Sequence, residues 1–224
     1  MRFLPSQEIM KNDFYKYQAQ TTPHPLAIEI SHAKGCYIYD IKGKEYLDFI
    51  AGVSASSLGH CHPKVISAVK NQLDKYLHVM VYGEFIQEPA VELTKLLSGL
   101  LPDNLTTTYL TNSGTEAIEG SMKLARRATG RKEIIYSKKA YHGNTMGALS
   151  IMGVEERKKI FQPLLPNCNS IEFNNEKDIL KITSKTAGVV LETIQGGAGF
   201  IVPKNDYLRK VKNRCSAVGD LLIL

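Results

Sequence analysis

From residue 107 onward, short apolar segments alternate with segments whose apolar residues recur every three or four positions. The first pattern is typical of buried strands, and the second of helices that pack along one face. Strands that alternate with helices build a largely parallel sheet with helices on both sides. We therefore predict an α/β fold, in the form of a three-layer α/β/α domain. The predicted strands are 107–111, 133–136, 187–191 and 221–224, and the predicted helices are 116–129 and 204–217.

The residues before this region follow another pattern. A small antiparallel meander is predicted from short apolar runs separated by turn residues. Two helices follow it, the first opened by Pro63. We expect residues 1–58 to be an N-terminal segment that contributes to a small domain, and residues 59–224 to form the first part of a large domain. The predicted meander strands are 26–30, 36–40 and 46–49, and the second predicted helix is 88–100.

The last predicted strand, 221–224, coincides with the end of the sequence. In α/β folds, functional residues usually follow the carboxyl ends of strands. We therefore expect the sequence to be truncated within its large domain.

Composition narrows the class of protein. The chain is 43% hydrophobic and 22% charged, without an apolar run long enough to cross a bilayer, which predicts a soluble, cytoplasmic protein without membrane contact. The net charge of +6 comes from basic residues interleaved with acidic ones, so no nucleic-acid partner is expected. The four cysteines form no CxxC pair, and His60-Cys61-His62 has no second ligand pair, so we expect reduced thiols and no metal.

One turn carries candidate chemistry. Asn112-Ser113-Gly114-Thr115 runs from a predicted strand into a predicted helix. The first turn of a helix offers unpaired N–H groups and the positive end of the helix dipole, and the Ser113 and Thr115 hydroxyls would add donors for a phosphate. The same residues also fit a capping box with Glu116, which opens many helices that bind nothing. The turn alone leaves both interpretations open.

Five motifs, taken in order and spacing, resemble the class III aminotransferases, in particular the acetylornithine, ornithine and 4-aminobutyrate group. The resemblance covers nearly the whole chain. The motifs are Gly59-His60-Cys61-His62-Pro63, Asn112-Ser113-Gly114-Thr115-Glu116-Ala117, the segment 124–131, Tyr141-His142-Gly143-Asn144-Thr145 and Glu192-Thr193-Ile194-Gln195-Gly196.

This resemblance implies pyridoxal 5'-phosphate (PLP) as cofactor and the three-layer large domain of the fold-type I PLP-dependent transferases. By the same resemblance, Ser113, Gly114 and Thr115 hold the phosphate of the cofactor. The family also implies a homodimer.

The resemblance assigns the cofactor ring to later residues. Tyr141 would stack on the ring, since two flat aromatic systems attract each other by dispersion and quadrupole interactions. His142 would lie beside the ring, and Gly143 would leave space there. Glu192 would organise the polar surroundings of the cofactor.

The resemblance further implies an amino transfer from a donor to the cofactor and then to a 2-oxo acid, in a ping-pong cycle. In the family, the lysine that forms a Schiff base with the cofactor lies beyond the region matched here, so no catalytic residue is assigned and the chain alone is expected to be inactive. Two alternatives stay open. One is a PLP-dependent aminomutase with this fold, and the other is a non-catalytic phosphate- or partner-binding module.

The donor is not fixed by the sequence, although an ω-amino acid or a diamine is favoured. Asn144 stands where the acetylornithine-type motif has arginine, a residue suited to binding carboxylates. Gly197 stands where many members carry a glutamate that pairs with a substrate-recognising arginine. Both departures argue against a simple transfer of the acetylornithine specificity.

Overall fold

The computed structural model describes residues 7–80 and 82–224. The chain separates into two compact units, Met1–Glu88 and Pro89–Leu224. The boundary predicted after residue 58 stays a prediction, and residues 1–6 of the predicted N-terminal segment lie outside the described residues.

The first unit is built around an antiparallel sheet of three strands in the order β1-β2-β3. This confirms the predicted meander. Asp40 closes the second hairpin, because its carboxylate accepts the N–H groups of Lys42 and Lys44 at 2.8 and 2.9 Å. The elements are α1 (Gln7–Tyr17), β1 (Ile30–Lys34), β2 (Tyr37–Asp40), β3 (Glu45–Leu47), the single turn α2 (Ala51–Ser54) and α3 (Pro63–Leu73).

The second unit alternates helices and strands, and α4 begins at its boundary. Two 3₁₀ helices, Lys159–Phe161 and Glu176–Lys181, lie in its connections. None of the helices in the described part of the chain combines the length and apolar character that a bilayer crossing requires. The elements are α4 (Glu88–Leu100), α5 (Gly114–Thr129), β4 (Glu133–Ser137), α6 (Met146–Ser150), α7 (Glu155–Lys158), β5 (Cys168–Ile171), β6 (Thr186–Val190), α8 (Tyr207–Val218) and β7 (Leu221–Ile223).

The four strands β5-β4-β6-β7 form a parallel sheet with a hydrophobic core on each face. On one face, Met122 of α5 packs with Ile134 and other buried side chains. On the other face, Val211 of α8 packs with Ile135 and Val189. Neighbouring residues of one strand thus serve opposite cores, as the two-residue period of a strand requires. The predicted three-layer α/β/α class is confirmed.

One predicted strand does not form among the described residues, and two predicted elements begin three or four residues later than predicted. Residues 107–111 form no strand, and Tyr109 is 85% exposed, because no described strand pairs with this segment. The first meander strand begins at Ile30 instead of residue 26, since Ala27 has a left-handed φ of 48°. Helix α8 begins at Tyr207 instead of residue 204, since Asp206 has a φ of 57°. Strand β5 was not predicted.

Asp220, just before β7, is a buried carboxyl group that predicts a pH-dependent stability. Neither of its oxygens has a hydrogen-bond donor among the described residues. Burial raises the pKa of Asp220, although the Cys215 thiol and the guanidinium groups of Arg131 and Arg214 favour the charged form.

The folded protein therefore keeps the Asp220 proton at pH values where the same residue in the unfolded chain, with a pKa of about 3.9, has lost it. This contribution to stability is complete below that pKa and is lost as the pH rises through the folded pKa. We expect Asp220→Asn to gain stability relative to the wild type as the pH rises from 3 to 7, because the wild type must release the Asp220 proton in a buried site and the variant has none to release. Urea denaturation at both pH values measures this difference, and an equal difference at both would contradict the prediction.

Candidate active site

The candidate site is an open cleft of about 800 Å³ in the second unit. It lies where the loops after β4 and the amino terminus of α5 meet. Of the predicted site residues, Gly114, Thr115, Tyr141 and His142 line this cleft, whereas Ser113 and Glu192 do not. A larger cavity of about 900 Å³ lies in the first unit and contains none of the predicted site residues. The lining residues of the cleft are Gly114, Thr115, Ile118, Tyr141, His142, Gly143, Asn144 and Thr145.

A capping box opens α5. The Ser113 hydroxyl oxygen accepts the Glu116 N–H at 3.2 Å, and the hydroxyl donates to Glu116 Oε2 at 3.1 Å. The same Oε2 accepts the Asn112 N–H at 2.8 Å. Because its proton is directed to Glu116, the Ser113 hydroxyl in this arrangement offers no donor to a ligand.

The capping box leaves two donors free. Within the described residues, the backbone N–H groups of Gly114 and Thr115 have no hydrogen-bond acceptor. They lie at the positive end of a helix of 16 residues. A Cβ added to Gly114 would meet nothing within 4 Å, so the space beside the turn is open. Capping and anion binding are therefore compatible, with backbone N–H groups as the donors.

Gly143 brings the loop after β4 into direct contact with α5. Its φ of 125° is a backbone conformation that side chains disfavour. A Cβ at this position would overlap the Thr115 side chain, at 2.5 Å from its Cβ. The family resemblance assigned Gly143 to leave space beside a cofactor ring, and in the structure the position of its missing Cβ is taken by the Thr115 side chain.

Glu192 joins the loops that follow β4 and β6. Its Oε1 accepts the Tyr141 N–H at 3.0 Å, and its Oε2 accepts the Gly196 N–H at 3.0 Å. Both strands are parallel, so their carboxyl ends share one edge of the sheet and the two loops can meet. Glu192 therefore acts on the cleft through the backbone of Tyr141, and the Tyr141 hydroxyl is contacted by the Asn144 amide at 3.2 Å.

His142 is the most buried polar side chain of the cleft, with 8% of its surface exposed. Its Nε2 has no hydrogen-bond partner among the described residues. Burial lowers the pKa of His142, and the negative charge of Glu192 opposes this only in part. The ring is thus neutral at pH 7, and its Nε2 is a buried nitrogen.

Two polar residues that shape this region were missed by the sequence predictions. Glu119 of α5 accepts three hydrogen bonds from Thr145, Gly147 and Ala148. Gln195 is 1% exposed and donates to Ser137 Oγ and to the Lys138 carbonyl. Glu119 could have been found as a carboxylate one turn after Thr115 on the same face of the helix.

A family model for the class-III aminotransferases matches residues 17–224. The chain belongs to the class-III aminotransferases. An acetylornithine aminotransferase from Clostridium acetobutylicum is 40% identical over an alignment of 203 residues that covers 88% of this chain and 51% of that protein. A LysW-aminoadipate semialdehyde/glutamate semialdehyde transaminase from Sulfolobus acidocaldarius is 37% identical over 188 residues, 84% of this chain and 48% of that protein.

A solved structure of this class also matches. The ornithine aminotransferase from Toxoplasma gondii, with partial occupancy of PLP at its active site, superposes with a TM-score of 0.80 at 29% identity. The match covers 98% of this chain and 53% of that one. The predicted family and the fold-type I class are thus confirmed, and this class-III aminotransferase chain spans about half the length of the relatives it matches.

Proposed function

We propose that the chain forms a PLP-binding wall of an aminotransferase that moves an amino group from an ω-amino acid, a diamine or a related donor to a 2-oxo acid, in a ping-pong cycle. The observation that carries this proposal is that one cleft is lined by two N–H groups without an acceptor and by His142, whose buried Nε2 has no partner, among the residues that the structure describes. Together they match a ligand with both an anionic group and a polar ring.

The residues fit PLP. The N–H groups of Gly114 and Thr115 at the start of α5 suit its phosphate. Tyr141 is 47% exposed at the cleft and presents an aromatic face for the ring. Ser113 and Glu192 do not line the cleft. Ser113 caps α5, and Glu192 accepts the Tyr141 N–H, so both stabilise the backbone that forms the cleft.

When bound, PLP supplies an electron sink and carries the amino group between donor and acceptor. The chain's own residues would orient and enclose it. Tyr141 would cover one face of the ring, and the Asn144 amide donates to the Tyr141 hydroxyl. His142 is neutral at pH 7, so its Nε2 can serve as donor or acceptor according to its tautomer.

The preference for an ω-amino donor is supported by the relatives, which are named for acetylornithine and for the semialdehydes of aminoadipate and glutamate. In these compounds, a reactive amine or aldehyde lies at the end of a side chain. We propose that the complete enzyme is a homodimer, on the basis of family membership, and light scattering would test this.

We expect the 224-residue protein to bind PLP at least tenfold more tightly than pyridoxal, which lacks the phosphate. Inorganic phosphate should compete with PLP for the same site. Isothermal titration with both compounds measures this, and equal affinities would contradict the assignment of the α5 turn.

The same protein, mixed with PLP, ornithine and 2-oxoglutarate, should show no turnover. Among the described residues, none that lines the cleft is a lysine that could bond to the cofactor. Glutamate formation above the rate without protein would show that this part of the proposal is wrong.

A further inference from the structure

Glu119 holds the loop after β4 against the first turns of α5. Its Oε1 accepts the Thr145 hydroxyl at 2.6 Å and the N–H groups of Gly147 and Ala148 at 2.9 and 3.2 Å. These N–H groups open the short helix α6, which directly follows the cleft residues 141–145. One carboxylate of α5 thus fixes both the end of this loop and the start of α6.

Gly147 provides the space that the Glu119 carboxylate occupies. A Cβ on Gly147 would overlap it, at 2.6 Å from Oε1. Glycine at 147 therefore allows Glu119 to approach the α6 backbone directly. The position of the loop after β4 thus depends on both Gly147 and the Glu119 carboxylate.

The carboxylate also sets the direction of a hydroxyl chain. A carboxylate can only accept, so the Thr145 hydroxyl must donate its single proton to Glu119. The Thr145 oxygen lies 2.8 Å from the Thr115 oxygen and, having no proton left, can only accept there. The Thr115 hydroxyl must therefore donate to the Thr145 oxygen. The backbone N–H of Thr115 is then the group of this residue that remains as a donor for a ligand.

We propose that Glu119 is a positioning residue for the cofactor site, acting through Thr145 and Thr115. It would hold the Tyr141–Thr145 loop at the α5 turn and commit the Thr115 proton away from the ligand. The inference rests on the proposed function, since it concerns the same cleft and its PLP.

The hold on the loop is tested without ligand, by amide hydrogen exchange followed by NMR. In Glu119→Ala, exchange at Gly147 and Ala148 should accelerate at least tenfold, while Ile135 in β4 keeps its protection. Glu119→Gln should stay within about threefold of the wild type at both amides, since its amide oxygen still accepts. Unchanged exchange at Gly147 and Ala148 in Glu119→Ala would overturn the proposed hold.

The effect on the site is tested by titrating PLP into the same proteins. We expect the Kd to rise about tenfold in Glu119→Ala and to recover to within about threefold in Glu119→Gln. Thr145→Val should also raise the Kd, with exchange at Gly147 and Ala148 unchanged, because those amides still reach Glu119. Glu156→Gln and Glu156→Ala, at an exposed glutamate of α7, are the matched controls and should bind as the wild type does.

The outcomes separate the two proposals. Wild-type protein that fails to bind PLP would contradict the proposed function, while the exchange measurement would still judge the role of Glu119 in the loop. If the wild type binds PLP and Glu119→Ala binds it with the same Kd, the inference about Glu119 is wrong and the proposed function is unaffected. If Glu119→Ala does not fold, Thr145→Val decides, and an unchanged Kd in that variant counts against the positioning role.

Discussion

Gly143→Ala is expected to abolish measurable PLP binding, with a Kd at least a hundredfold higher, and to lower the free energy of unfolding by about 3 kcal/mol. The new methyl group would occupy the space of the Thr115 side chain, and the backbone would keep a φ of 125° that alanine strongly disfavours. Relief requires the loop to move away from α5. That movement would open the cleft between the donors of the turn and the Tyr141 ring.

Urea denaturation and PLP titration of the same samples measure both effects. The matched control is Gly120→Ala in the middle of α5, where a Cβ meets nothing within 4 Å. Alanine should stabilise that helix position by about 1 kcal/mol and leave PLP binding unchanged. A Gly143→Ala protein as stable as the wild type would show that the contact with Thr115 does not constrain the loop.

Glu192→Ala is expected to weaken PLP binding by about a hundredfold and to cost about 3 kcal/mol of stability. The change removes two charge-assisted hydrogen bonds at once and leaves the N–H groups of Tyr141 and Gly196 without their acceptor. Since these N–H groups belong to different loops, the loss uncouples the loop after β4 from the loop after β6.

Glu192→Gln provides a graded control for this prediction. Its single amide oxygen can accept only one of the two N–H groups, so the stability loss should be intermediate. Removing the negative charge should also lower the pKa of His142 further, because the Glu192 charge favours the protonated ring. NMR titration of His142 measures this, and an unchanged pKa would place Glu192 too far away to act on the ring.

The fold was predictable from sequence wherever local signals and burial agreed. Helix α5 begins at a capping box and ends before Gly130 in the left-handed conformation, and both signals are visible in the sequence. Strands β4 and β6 are apolar because both of their faces are buried. Residues 107–111 have strand-like composition, yet a strand also needs a paired neighbour, which composition cannot reveal.

The sequence indicated which residues lie at the cleft better than it indicated what each of them does there. The family resemblance named Gly114, Thr115, Tyr141 and His142, and all four line one cleft, while their roles toward a cofactor stay a prediction. The direction of the hydroxyl protons was not predictable, because it depends on Glu119, whose partners lie about 26 to 29 positions away along the chain. Helical spacing places Glu119 on the same face of α5 as Thr115, but the groups that donate to it are known only from the folded chain.

The glycines after β4 have a practical consequence for protein engineering. At 143, 147 and 153, any side chain would collide with Thr115, with Glu119 or with the backbone at Ser137, respectively. A combinatorial library that randomises the whole loop would therefore consist mainly of misfolded members. Diversity placed at the exposed Asn144 and Met146 would change the chemistry of the rim while keeping the scaffold intact.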